Sequence, residues 1–327
     1  LVSHSRKPVP LPELIATRLE RCVELRDRLY DAPYYRLVYG EGDELPGLVI
    51  DRYGDVAVVQ IATAGMERHK DAIVEALDAT LKPAGILWQN SSPLRDLEGL
   101  ERYVEVARGA VPDTVTVPEG DARFTAPLRE GQKTGWFFDQ RDNRLALRRF
   151  ASGARVLDVC SYVGAWGVHA ALAGAQAVTC LDASAPALRV AEANAAANGV
   201  ALGTLRTDAF DGLRALRDDG AQFDLIVLDP PALIKRRKDR DEGTQAYRRL
   251  NDLALKLLAP DGVLVSCSCS HFMPADALCR LVQGAARRAG RFARLLSTGY
   301  QGADHPVHPA IAESRYLKAL TFHVAGQ

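Results

Sequence analysis

No run of roughly eighteen apolar residues occurs anywhere in the 327-residue chain, which excludes an ordinary membrane-spanning helix. The chain does not open like an export signal either. Leu1 to Pro12 holds Arg6, Lys7 and three prolines where a charged head and an apolar stretch would be needed. Cysteines are few and scattered (Cys22, Cys160, Cys180, Cys267, Cys269, Cys279), with no CxxC pair and no His/Cys cluster at zinc spacing. No metal is therefore expected, and a reduced, cytoplasmic protein fits best. Neither charge sign is in excess: Lys plus Arg and Asp plus Glu both total 41. Any nucleic acid must then be held by a local patch rather than by the field of the whole molecule. Internal repeats and low-complexity tracts are absent as well. What is present is 47% hydrophobic and 25% charged residues, enough for a large core and two domains.

Apolar residues at Leu11, Leu14, Ile15, Leu19, Val23 and Leu25 predict an amphipathic helix over Leu11 to Leu29. Short β-rich runs follow at Tyr34 to Tyr39, Gly47 to Asp51 and Val56 to Ala62, separated by turn-forming stretches. A helix from Glu67 to Thr80, a strand from Gly85 to Asn90 and a strand-rich stretch near Val111 to Phe124 complete a small α+β unit. From Arg155 onward, apolar strands alternate with Ala- and Leu-rich helical stretches. The strands are expected at Arg155 to Val159, Ala177 to Asp182, Leu202 to Thr207, Phe223 to Asp229 and Gly262 to Ser268. Such alternation implies βαβ crossovers and a doubly wound, mostly parallel α/β sheet, preceded by the smaller α+β domain. The expected division is 1–30 (linker and helix), 31–125 (central α+β domain, positioning RNA) and 126–327 (Rossmann-like catalytic domain).

In sheets of this kind ligands bind beyond the carboxyl ends of the strands. The first strand carries Asp158 and runs into Cys-Ser-Tyr162-Val-Gly164-Ala-Trp-Gly167, where glycines permit a tight turn and a close approach of backbone to ligand. The second ends at Asp182, about 20 residues on, the spacing at which an acid accepts bonds from ribose hydroxyls. Capping of the next helix is the alternative. The third ends in Asp208-Ala209-Phe210, a carboxylate for an exocyclic amine and an apolar wall for an adenine ring. The fourth ends in Asp229-Pro230-Pro231, where two prolines hold the Asp in a narrow orientation. The turn departs from GxGxxG. S-adenosyl-L-methionine carries no pyrophosphate and needs less room than a dinucleotide, so methyl transfer is favoured over hydride transfer.

The fifth strand ends in Ser268-Cys269-Ser270, beside the same crevice if the sheet is wound as expected. A thiol there can be a nucleophile, or simply a small core residue. Past Asp229-Pro-Pro comes the run Lys235-Arg236-Arg237-Lys238, with Arg248 and Arg249 beyond. It can contact RNA phosphates or stand as a solvated loop.

These and other stretches carry a family resemblance. They are Arg36 to Arg52, Gln132 to Arg144, Ser161 to Gly164, Asp229 to Pro231, Ser268 to Ser270, Ala303 to Pro306 and Tyr316 to Lys318. Over residues 34 to 327 the chain resembles bacterial large-subunit ribosomal RNA cytosine-C5 methyltransferases of the RlmI type. The resemblance implies S-adenosyl-L-methionine as cofactor, RNA as partner and Cys269 as nucleophile, with Cys267 structural. It also implies that Lys133, Phe137 and Gln140 lie over the methionine end of the cofactor. A PUA RNA-binding domain is implied in front of both domains, and this chain starts too late to hold a whole one.

The chemistry has its own rationale. Thiolate addition at cytosine C6 makes C5 nucleophilic, and Asp229 can hydrogen-bond N3 as charge builds on the ring. Two other readings compete. Asp-Pro-Pro is similar to the motif of amine methyltransferases acting on a base nitrogen, although Ala232 stands where an aromatic residue would stack. A non-catalytic RNA-binding or ribosome-assembly protein is the third, against which the strand-end acids and Cys269 argue. His305 and His308 read as structural anchors. Whether a homodimer forms is left open by the residues.

Overall fold

The computed structural model describes residues 9–129 and 134–326. Its backbone divides into two units: 1–118 with 125–139 and 302–314, and 119–124 with 140–301 and 315–327. The division differs from the expected 1–30, 31–125 and 126–327. The first helix shares a core with the strands after it, and a late segment, 302–314, returns to the first unit.

In the first unit, helix α1 (Leu11–Leu29) starts behind Pro10 and carries Arg26 and Arg28 in its last turn, where the helix dipole favours cations. Strands β1 (Tyr34–Tyr39), β2 (Leu48–Tyr53) and β3 (Val56–Ile61) form an antiparallel meander. After α2 (Ala64–Glu67) and α3 (Lys70–Leu81), β4 (Gly85–Asn90) joins β3 in parallel. β5 (Tyr103–Gly109) then pairs antiparallel with β4. Ile15, Leu19 and Cys22 of α1 pack with Leu37, Ile50, Val59, Ile73 and Leu77 in one core. Each such aliphatic side chain contributes about 1.5–3 kcal/mol.

β5 was not expected from the sequence. It lies at the sheet edge and buries no residue fully, so its apolar pattern is weak, and pairing with β4 defines it. Much of the Arg36 to Arg52 stretch goes into buried ion pairs. Arg36 forks Asp51 at 2.6 and 2.9 Å, and Arg26 forks Asp43 at 2.6 and 2.7 Å while also donating to the Asp304 carbonyl. His305 is buried with Nδ1 2.8 Å from Asp304 Oδ1, an anchoring role within this unit.

The hairpin β6 (Thr114–Glu119) and β7 (Ala122–Pro127) follows, its tip counted with the second unit. That unit continues with α4 (Arg141–Leu147), β8 (Arg155–Val159), α5 (Ala165–Leu172), β9 (Ala177–Asp182), α6 (Ala185–Ala197) and β10 (Gly203–Arg206). Next come α7 (Ala209–Asp218), β11 (Phe223–Leu228), α8 (Arg240–Leu257), β12 (Leu258–Ser268), α9 (Ala275–Arg288), β13 (Phe292–Gly299) and β14 (Lys318–Ala325). They build one seven-stranded sheet in the order β10-β9-β8-β11-β12-β14-β13. The first five strands are parallel; β14 runs antiparallel between β12 and β13. Each parallel strand expected from the sequence is present. The antiparallel pair at the far edge, β13 and β14, was not anticipated.

Candidate active site

The parallel strands end level with one another. Leu228 of β11 pairs with Val159 of β8 on one side and Ser266 of β12 on the other, and Val159 pairs with Leu181 of β9. The chain leaves β8 toward β9 and later returns to β11 on the opposite flank, so the strand order reverses at β8. This is the switch point at which such sheets hold ligands.

The loop after β8 is wound tightly. Cys160, Tyr162 and Gly164 adopt positive φ angles of 63°, 50° and 76°. Two of these are not glycine, and the conformation costs each of them about 1 kcal/mol or more. The surroundings hold it in place: the Cys160 and Ser161 amides both donate to the Leu181 carbonyl, and the Tyr162 amide donates to Asp182 Oδ2 at 2.9 Å. Asp182 Oδ1 accepts from the Ser184 amide at 2.8 Å. Asp182 thus braces the turns on either side of it; Ser184, through its Oγ, caps α6. A side chain at Gly167 would meet Cys180 Sγ at 2.7 Å, so glycine is required there by close packing.

Four carboxylates converge on this loop. The Cys160 thiol is pushed up by burial and then by the charges of Asp182, Asp229, Asp158 and Asp208. Asp208 is exposed, caps α7 by accepting from the Phe210 amide at 2.8 Å, and is followed by half-buried Ala209 and Phe210. An acidic crevice with an apolar wall suits a nucleoside bearing a positive sulfonium and disfavours one bearing pyrophosphate. The residues present therefore fit S-adenosylmethionine.

Asp158 is fully buried. Its Oδ2 accepts from the Gly167 amide at 3.1 Å, while Oδ1 has no hydrogen-bond partner among the described residues. Burial, followed by the charge of Asp229, pushes its carboxyl up to about 8. The fold thus holds the proton more tightly than the unfolded chain does, whose carboxyl titrates near about 4. The stability this contributes is complete below that range and is lost as pH rises through about 8. Asp158→Asn removes the titration. The variant is expected to gain on the wild type by on the order of 2 kcal/mol between about pH 6 and pH 9, read from urea midpoints. A difference that stays constant with pH would show that Asp158 is ionised throughout.

Asp229, half-buried at the end of β11, is aimed by two donors: Gln140 Nε2 reaches Oδ1 and Trp166 Nε1 reaches Oδ2, each at 3.0 Å. Gln140, expected at the cofactor, thus holds Asp229, while its own Oε1 accepts from Asn143 at 2.7 Å. Behind α4 lies a buried cluster that sequence reading did not reveal. Arg144 forks Glu119 through two bonds of 2.6 Å, and His169 Nε2 lies 3.0 Å from the same carboxylate. Arg144 and His169 hold the Glu119 carboxyl well below its usual range in spite of burial.

The segment after β12 meets the segment after β11. Cys269 Sγ lies 3.9 Å from the Pro230 carbonyl. Ser268 Oγ donates to Tyr247 of α8 at 2.8 Å, and Ser270 Oγ donates to the Ile234 carbonyl at 2.6 Å, so the thiol is carried on a turn fastened at both flanks. Cys267, by contrast, is fully enclosed, and burial first of all pushes its thiol far up. Lys235, Arg236, Arg237 and Lys238 are exposed, with Arg236 paired to Asp239 at 2.9 Å, and Arg249 lies over the Phe210 ring. Phe137 is half-buried in the first unit, and Lys133 lies outside the described residues. Among the described residues, no group of three or more His, Cys, Asp or Glu is placed to hold a metal ion, and no helix is long and apolar enough to cross a membrane.

Comparison with known proteins agrees with this geometry. Residues 96–323 match the family model of S-adenosylmethionine-dependent methyltransferases. A ribosomal RNA large subunit methyltransferase I of Alteromonas mediterranea is 36% identical, covering 94% of this chain and 79% of its own. Its counterpart in Aeromonas hydrophila is 39% identical, over 93% and 78%. Among solved structures, a SAM-dependent methyltransferase from Streptococcus mutans superposes with a TM-score of 0.84 at 23% identity, over 98% of this chain and 83% of that one. A crevice built for an adenosyl sulfonium, in a chain with relatives this similar along nearly its whole length, identifies it: the chain belongs to the ribosomal RNA large subunit methyltransferase I family of S-adenosylmethionine-dependent methyltransferases.

Proposed function

We propose that this protein methylates C5 of a cytosine in large-subunit ribosomal RNA, in the cytoplasm, through a covalent adduct on Cys269. The observation that carries this reading is the meeting of two strand-end turns, with Cys269 Sγ 3.9 Å from the carbonyl of Pro230, the residue that follows the aimed Asp229 in the chain. The thiolate adds at C6 of the base, and the C5=C6 electron pair moves into the ring toward N3 and O2. Asp229 faces that developing charge and hydrogen-bonds N3 when a proton lies between them. S-adenosylmethionine, when bound, would supply an electrophilic methyl group to C5, its S–CH3 bond breaking to leave S-adenosylhomocysteine. Loss of the C5 proton to a base then re-forms the double bond and expels the Cys269 thiolate, leaving 5-methylcytosine.

Asp182 and Asp208 serve the ribose and the adenine amine, and Ala209 with Phe210 forms the adenine wall. The relatives' names support ribosomal RNA as the substrate class. Lys235 to Lys238, exposed just beyond the Asp229 turn, are the residues proposed to hold RNA phosphates. A flipped base next to the crevice would bring its flanking phosphates there.

The test is trapping. Incubated with S-adenosylmethionine and ribosomal RNA containing 5-fluorocytidine, the protein is expected to form an adduct stable on a denaturing gel, because fluorine cannot leave as the C5 proton does. Transfer to ordinary RNA without any trapped band would overturn the covalent route in favour of a base-nitrogen acceptor.

A further inference from the structure

We propose that Lys318 is a positioning residue for Cys269: its ammonium holds the turn that carries the thiol and stabilises the thiolate. The inference rests on the reading of Cys269 as nucleophile. Lys318 opens β14 and pairs in register with Ser268, the residue before Cys269. It is 5% exposed. Its Nζ donates to the carbonyl of Ser270, the residue after Cys269, and to that of Tyr316 at 2.7 Å. No carboxylate pairs with it among the described residues. A buried ammonium bound only to carbonyls is costly to maintain, and a fold keeps one where its charge has a use.

Cys269 supplies that use. Burial pulls the Lys318 amine down to about 8, with the charge of Cys269 opposing the fall, and the Ser270 carbonyl that the amine binds is one residue from the thiol. Among the described residues, four titratable groups lie on the segments about the thiol: Tyr247 on α8, Cys267 on its own strand, Asp229 before the Pro230 turn, and Lys318 on β14. Burial keeps the first two neutral at physiological pH, and a carboxyl such as Asp229 can supply only negative charge. Of the four, Lys318 is the cation. When thiolate is consumed by addition to C6 no proton has to move, since the thiol proton has already passed to solvent; the ammonium stabilises the reactant form and receives the thiolate again when it is expelled.

The experiment is the pH profile of Cys269 alkylation by iodoacetamide, read at that residue alone by peptide mass spectrometry. Lys318→Met is expected to move the profile up by about one pH unit and to slow alkylation at neutral pH about tenfold. Lys318→Arg, which keeps the charge, should recover most of the rate. S-adenosylhomocysteine affinity and thermal midpoint report the fold, and if the methionine variant does not fold, Lys318→Gln keeps a donor to the carbonyls without the charge. An unchanged profile in the uncharged variant, or an equal shift in the arginine variant, would overturn the electrostatic role. Trapping of wild type by 5-fluorocytidine separates the two claims. An adduct on Cys269 alongside an unchanged profile removes the lysine role alone, and absence of an adduct removes the nucleophile and the catalytic meaning of the lysine together.

Discussion

Cys269→Ala is expected to lower kcat for methyl transfer by at least about a thousandfold, because without sulfur at that position C5 of cytosine has no route to becoming nucleophilic. Binding should survive. Cys269 lies on the turn after β12, and the bonds from Ser268 to Tyr247, from Ser270 to the Ile234 carbonyl and from Lys318 to the Ser270 carbonyl fasten that turn without the thiol. S-adenosylhomocysteine affinity in the variant should therefore stay within about twofold of wild type. The measurement is single-turnover transfer of radiolabelled methyl to ribosomal RNA, beside calorimetric titration of the product cofactor. A variant that still transfers at more than about a tenth of the wild-type rate would show that the thiol is packing, with the methyl going to another atom.

On the proposed mechanism Asp229 should behave differently, because it would serve structure and chemistry together. In Asp229→Ala the Gln140 amide and the Trp166 indole lose their acceptor, and each buried donor left without one costs about 1–3 kcal/mol. Stability, cofactor affinity and transfer should all fall. Asp229→Asn is the more telling variant. Its carbonyl oxygen can still accept from Trp166, so much of the fold's stability remains, while the carboxylate that faces the ring is gone. Transfer is expected to drop by about a hundredfold, chiefly in kcat. Equal, mild losses in both variants would mean that Asp229 aligns the crevice without taking part in the reaction.

The catalytic sheet was the most legible part of the chain. Strands such as Arg155–Val159, buried almost throughout, and Ala177–Asp182, buried at Val178, Cys180 and Leu181, are short, largely apolar runs, and the pattern needs no tertiary information to be seen. β5 and β13 were harder, since an edge strand such as Phe292–Gly299 leaves most of its side chains in solvent and has no buried face to set a period. The candidate site divides in the same way. Asp158, Asp182, Asp208 and Asp229 announce themselves because each follows a recognisable strand. Gln140 was reached only through the family resemblance, and its bond to Asp229 and the role of Lys318 not at all, because the partners lie 89 and 48 residues away in sequence. Glu119, Arg144 and His169 were missed for the same reason, as each is an ordinary charged or polar residue until the hairpin tip meets α4 and α5.

By itself, the sequence determined the winding of the parallel sheet, the glycine-rich turn after its first strand, the prolines that stiffen the Asp229 turn and the presence of a cysteine at the end of the fifth strand. These are local matters: periodicity, backbone freedom and residue chemistry act over a few positions. Tertiary structure alone decided that Asp229 is held by Gln140 and Trp166, that Asp158 is enclosed beside other acids, and that a buried ammonium binds the carbonyl of the residue after Cys269. Which groups share a desolvated space depends on how distant segments pack, and electrostatic interactions become strong enough to tune chemistry only once water has been removed from between them.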